Sequence, residues 1–356
     1  MYNTMKKIFV TCMLILGTIM GAGFCSGKEI VAYFAKFGLN SLFFVPLLFF
    51  LYYFIFKIFM TLGAKENFTD IKQVNKKIFD KISGISNILL VFVYVIFTSA
   101  MFAGVYQIGQ MFNSDFLSAL FLAIAFILGY FLLLKPINFL KIFNAFLVPS
   151  LLVLILLTCL TGLFTFGVNS YHIIEIKNAF LMMFNPIIYA CQGLALAYFI
   201  LVKAGENLTE KQIKISAFAS SLILCTLQTL AILVFCFNPE LLTKTMPIVS
   251  LATKLGFPYD IIYISVLFVA ILTTLFASSR SLNEIVSMKI NNKYEAGFVT
   301  LFSALIFSLL GFDKIIEYLY PIIGCIGFYL LFTLTYKSSF VKGFEFTDKK
   351  IHKGSK

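Results

Sequence analysis

The sequence predicts an all-α polytopic membrane protein of ten transmembrane helices in a 5+5 inverted repeat, with helices 1 and 6 broken. Three observations predict it. The composition is 60% hydrophobic and 12% charged over 356 residues, in apolar runs long enough to cross a hydrocarbon core. The first run is interrupted at Gly21-Ala22-Gly23-Phe24-Cys25-Ser26-Gly27, three glycines in seven residues. The sixth is interrupted about 168 residues later at Tyr189-Ala190-Cys191-Gln192-Gly193, after Asn185 and Pro186. An odd number of spans per half forces the second half to be inverted, which places the two breaks opposite each other near the midplane.

Windows of about 20 apolar residues place spans near 8–36, 39–63, 83–112, 116–134, 139–166, 177–203, 212–237, 259–281, 294–311 and 314–336. The first repeat covers about 8–166 and the second about 177–336, a single domain followed by a basic cytoplasmic tail, 337–356. With an even number of spans both termini share a side. Of 28 Lys and Arg, six (Lys28, Lys36, Lys177, Lys244, Lys254 and Lys314) fall on the far side and the other 22 on the side of the termini, which is therefore cytoplasmic. Residues 6–23 have the outline of a signal peptide, yet the apolar stretch resumes at Ile30 and no soluble domain follows. Between spans two and three, Phe68, Ile71, Val74, Ile78 and Ile82 recur at helical spacing among lysines, an amphipathic helix suited to the inner membrane surface. The longest exterior loop, Glu240 to Leu255, is a lid or a packed loop.

Several classes are excluded. The net charge of +12 is spread between spans and forms no basic stripe, so nucleic acid is not a partner. The seven cysteines lie in apolar segments, where a thiol behaves as a small hydrophobe, and His172 and His352 have no ligand-spaced companions. No nucleophile with a base, no H-E-x-x-H and no Walker A lysine occurs in the spans, which argues against an enzyme and against ATP-driven pumping. Tryptophan is absent, leaving the interfacial anchoring to tyrosines such as Tyr2, Tyr171, Tyr259 and Tyr336.

An unwound stretch exposes backbone groups that lipid cannot satisfy, so it faces protein, ion, substrate or water. The expected substrate site is Gly21 to Gly27 with Tyr189, Ala190, Cys191, Gln192 and Gly193, together with Thr98 from the polar face of span three. Half-helix ends offer N–H groups to a carboxylate and carbonyls to an ammonium, which suits a zwitterion. Phe24, Ala22, Ala190 and Cys191 favour an apolar side chain. Just beyond the first break, Lys28 and Glu29 are ionisable at a depth where charge is expensive. Glu29 is a candidate proton carrier or a vestibule residue stabilised by a helix N-terminus, and Lys28 points elsewhere because consecutive residues do not share a helix face. Glu317 and Tyr318 are candidates for a gate.

The run Gly17-Thr-Ile-Met-Gly21-Ala-Gly23-Phe24 followed by Cys25-Ser26-Gly27-Lys28-Glu29 resembles the opening helix of the YkvI-type family of bacterial membrane proteins. These are distant relatives of the amino acid/polyamine/organocation transporters with the LeuT fold. The resemblance implies Na+ between spans one and eight, held by the carbonyls of Gly17, Met20 and Ala270 and the hydroxyls of Thr273 and Thr274, an oxygen-only set suited to a hard cation. Two adjacent threonines also bond back to their own helix, and Ser278 and Ser279 stand one turn on. Phe24 stands where many sodium-coupled relatives carry an asparagine, which argues for one coupling ion. The expected function is secondary transport of a small, apolar amino acid across a bacterial cytoplasmic membrane, driven by sodium and needing no cofactor. A proton-coupled carrier of another small solute and a non-transporting sensor, akin to a germinant receptor, are the alternatives.

Overall fold

The computed structural model describes residues 2–66, 68, 70–80, 83–135, 137–165 and 179–340. The chain opens with α1 (Tyr2–Ile19), unwinds at Met20 and Gly21, and resumes as α2 (Ala22–Ser26) and α3 (Lys28–Tyr33). Gly27 between these two has φ +85°, a left-handed conformation that glycine adopts without a Cβ penalty. The unwound backbone finds partners within the protein, as the bilayer interior requires. The Gly21 N–H donates to Ile19 O at 2.8 Å. The Cys25 thiol donates to Met20 O at 3.1 Å, and the Tyr263 hydroxyl to Cys25 O at 2.8 Å.

A 3₁₀ stretch (Ala35–Phe44) leads into α4 (Val45–Lys65) and the short α5 (Ile71–Phe79). There follow α6 (Ser83–Gln110), α7 (Asp115–Leu133), α8 (Ile137–Thr165), α9 (Ala179–Gly205), α10 (Glu210–Phe237) and α11 (Pro247–Lys254). The chain continues through α12 (Tyr259–Val286), α13 (Lys293–Ser308) and α14 (Phe312–Lys314), then a π-helical turn over Ile315–Leu319 and α15 (Tyr320–Phe340). The starts follow local chemistry. Ser114 accepts from Leu117 N at the head of α7, and Thr209 with Gln212 forms a reciprocal capping box at the head of α10.

Among the described residues eight helical segments are long and apolar enough to cross a membrane: Ala35–Lys65, Ser83–Gln110, Asp115–Leu133, Phe139–Thr165, Met182–Gly205, Glu210–Phe237, Tyr259–Val286 and Phe312–Tyr336. The most apolar windows of α6 and α9 are 72% and 78% buried, against 22% for α7, so α6 and α9 form the centre and α7 the rim. Phe116 and Phe131 on α7 and Phe146 and Phe164 on α8 are exposed on that rim. At the centre, glycines bring backbones together. A Cβ at Gly63 would collide with Val202 O, one at Gly205 with Met60 O, and one at Gly327 with Cys191 O. α4 and α15 therefore meet α9 with no side chain between, the small-residue packing that membrane helices use.

Two expectations are corrected. α9 runs unbroken through Tyr189 to Gly193, so helix 6 is not broken there. Pro186 removes a single donor, the Asn185 amide donates to Tyr33 O at 2.9 Å at the end of α3, and the backbone contact with α15 at Gly327 buttresses the stretch. The second correction concerns α5, whose apolar face does not lie in lipid. Ile71, Val74, Ile78 and Phe79 are buried, and Asn75 among them bonds to the Tyr198 hydroxyl at 2.7 Å and to Asn87 at 2.5 Å. Its neighbours are α6, α12 and α15. His172, Tyr171, Lys177, His352 and the tail from residue 341 lie outside the described residues, as does the side chain of Tyr2.

Candidate functional site

A closed cavity lies where the first helix unwinds. The break contributes Ile19 and Gly21, α3 contributes Glu29, and α4 contributes Tyr52. Phe97 and Met101 come from α6, Tyr189, Gln192, Gly193 and Leu196 from α9, and Tyr320 from α15. Its volume, measured to the centre of a water-sized sphere, is about 10 Å³, room for about one water.

Among the described residues Glu29 is the only carboxyl in this wall. It is buried, and the Tyr189 hydroxyl donates to its Oε2 at 3.1 Å. A Cβ at Gly23 would overlap the Glu29 carboxyl group, so the absence of a side chain at Gly23 makes room for the carboxyl. Lys28 points the other way: its Nζ lies 2.9 Å from Asp313 Oδ1 and 3.1 Å from Glu317 Oε1. Thr245 donates to the other oxygen of Asp313 at 3.2 Å. One short helix thus carries a site carboxyl and, next to it, the cation of an ion-pair cluster that reaches α14 and the π-helical turn.

Over the break lies α11. Ile248 packs against Gly27, and Pro247, Val249, Leu251 and Ala252 are buried with it, so the segment between α10 and α12 is packed down on α2. At its edge Lys254 bonds to Glu240 and holds that carboxyl below its usual range.

Of the predicted substrate residues, Gly21, Tyr189, Gln192 and Gly193 line the cavity. Ala22, Gly23, Phe24, Cys25, Ser26, Gly27, Ala190 and Cys191 do not. Phe24 and Ala190 are fully buried between helices, Ala22 abuts Gly104, and Ser26 donates to Gly23 O at 3.1 Å. Thr98 also stands outside the cavity. It bonds to Tyr94 O at 2.6 Å and to Ser278 at 3.1 Å, while its neighbour Phe97 faces inward. Sequence reasoning missed Ile19, Tyr52, Phe97, Met101, Leu196 and Tyr320.

The predicted ion ligands converge in part. Thr274 donates to Gly17 O at 3.3 Å and to Ala270 O at 3.4 Å, and Thr273 to Ala270 O at 2.7 Å. The Met20 carbonyl instead accepts from the Cys25 thiol. Both threonines thus bond back to their helix, and Thr274 also ties α12 to α1.

The structure is similar to that of Mhp1, a nucleobase-cation-symport-1 family transporter, in a closed conformation with bromovinylhydantoin bound. The TM-score is 0.60 at 11% sequence identity, over 89% of this chain and 74% of that one. The fold is shared with Mhp1. In sequence the chain is 23% identical over 326 residues to the uncharacterized membrane protein YkvI of Bacillus subtilis (strain 168), covering 88% of this chain and 90% of the relative. No family model matches. With its eight apolar helices, the chain is a multi-pass membrane protein, and the resemblance to YkvI extends over most of its length.

Proposed function

We propose that the chain is a secondary transporter of a small amino acid, working by alternating access in a bacterial cytoplasmic membrane with both termini cytoplasmic. The observation that carries this reading is the closed cavity against the unwound first helix, in a fold shared with Mhp1. Counting α1 to α3 as one broken span and the 16-residue α13 as another, beside the eight apolar helices, gives ten, the number needed for a 5+5 inverted repeat within a single domain of residues 1–336. Ile19, Phe97, Met101 and Leu196 offer the substrate's side chain an apolar wall, a role first expected of Phe24 and its neighbours.

Sodium is the favoured coupling ion. Gly17 O, Ala270 O and the hydroxyls of Thr273 and Thr274 form an oxygen cluster between α1 and α12, suited to a hard cation. One observation favours a second reading, coupling to protons: the buried Glu29 in the cavity wall, since an intramembrane carboxyl is a frequent proton relay. The deciding experiment is uptake of a labelled amino-acid mixture into proteoliposomes, with an inward sodium gradient and with choline replacing sodium at fixed pH. Accumulation only with sodium supports the first reading, and accumulation driven by a pH gradient in choline supports the second. No uptake under either gradient, with ligand-induced thermal stabilisation of the same preparation, replaces the transporter with a sensor.

A further inference from the structure

The cavity wall is rich in acceptors and poor in cations. Glu29, Gln192 and Tyr320 are each at least nine-tenths buried. Gln192 Oε1 and the Tyr52 and Tyr320 hydroxyls have no hydrogen-bond partner among the described residues. The carboxyl has one donor, from Tyr189. Among the described residues no basic side chain lines the cavity, and Lys28, next to Glu29 in sequence, is engaged by Asp313 and Glu317. Buried polar atoms are rarely left unpaired, and a buried carboxyl needs either a cation or a proton. The rest of the wall is aromatic: Phe97 and Tyr320 have ring centroids 5.0 Å apart, and Tyr52 and Tyr189 6.4 Å apart. Aromatic faces attract a desolvated cation.

Resting on the transporter reading, we infer that this cavity receives the ammonium group of the solute, with acceptors drawn from Glu29, Gln192, Tyr52 and Tyr320. An ammonium has three N–H donors and no acceptor, which matches that set in sign. The charge on Glu29 then compensates the charge of the substrate within the low-dielectric interior. The closed volume suits an ammonium head, and the remainder of the solute lies toward the apolar wall when the helices part. The inferred class is therefore small organic ammonium compounds, amines without a carboxylate included.

The test uses the full chain in detergent and a matched series of probes: n-alkylamines from methylamine to pentylamine, 3-methylbutylamine, leucine, and the carboxylic acids and alcohols of the same carbon skeletons. Binding is followed by thermal stabilisation and by calorimetry. Amines and leucine are expected to bind, with the acids and alcohols at least tenfold weaker. Glu29→Gln, nearly isosteric, is expected to reduce that preference at least tenfold. Acids or alcohols binding as well as amines, or no amine binding at all, overturns the inference without reference to any variant. Unchanged amine affinity in Glu29→Gln also overturns it. Amines that bind but do not accumulate in proteoliposomes leave the ammonium site standing and remove the transporter reading.

Discussion

Replacing Lys28 with methionine tests whether the ion-pair cluster above the cavity acts as a lock. The Lys28 side chain is 8% exposed, whereas Asp313 and Glu317 are 44% and 46% exposed. A hydrogen bond to a charged group is worth about 1.5–3 kcal/mol when desolvated, but an ion pair with a half-hydrated partner contributes about 1 kcal/mol or less. The two contacts together are therefore worth about 1–2 kcal/mol, and their loss shifts the balance between closed and open forms about 5- to 30-fold. The assay is the labelling rate of Cys25, which is buried in α2 three residues before Lys28, in detergent-solubilised protein with the other cysteines replaced. Lys28→Met should label about 5- to 30-fold faster than its parent, and Asp313→Asn with Glu317→Gln should reproduce much of the gain. A rate within twofold of the parent in both variants would refute the lock.

Further predictions follow from contacts of equal definition. Gly23→Ala places a methyl group against the Glu29 carboxyl and should weaken solute binding at least tenfold. Gly193→Ala, whose new methyl group meets the Tyr52 ring at an ordinary 3.6 Å, should be tolerated, and equal behaviour of the two would undo the argument. Sodium, compared with choline, should raise the melting temperature as a ligand does, and Thr274→Val should abolish the effect; no sodium effect in the parent removes the ion assignment. Asn75→Leu leaves the Tyr198 hydroxyl and the Asn87 side chain without their buried partner, at a cost of about 1–3 kcal/mol. A drop in thermal stability should reveal it, and an unchanged melting temperature counts against the network.

The first break was legible in the sequence because its chemistry is local. Gly21 and Gly27 permit the chain to unwind and turn, and the charges on Lys28 and Glu29 are conspicuous in an apolar run. Most of the cavity was not. Tyr52 and Tyr53 are equivalent as sequence, and only the packing of α4 against α9 turns the first inward. Phe97, Met101 and Leu196 are indistinguishable from lipid-facing residues, since lipid and protein interior are alike in polarity. The second break was misread because proline and glycine report a local weakness, while the neighbouring α15 determines whether the helix yields. For α5 a signal was present: Asn75 stands on the same face as Ile71, Val74 and Ile78, and a polar residue there calls for a protein partner.

The seam between α9 and α15 has a consequence for movement. At Gly327 the main chain meets the Cys191 main chain directly, and at Gly324 it meets the Ile188 side chain and carbonyl, so sliding along this seam drives the two helices into each other. Any division of the molecule into rigid bodies then keeps Tyr189 and Tyr320 in one body. Phe97 and Met101 ride on α6, outside this seam. The ring contact between Phe97 and Tyr320 joins the seam to α6, and the distance between those two rings would gauge any movement of one against the other.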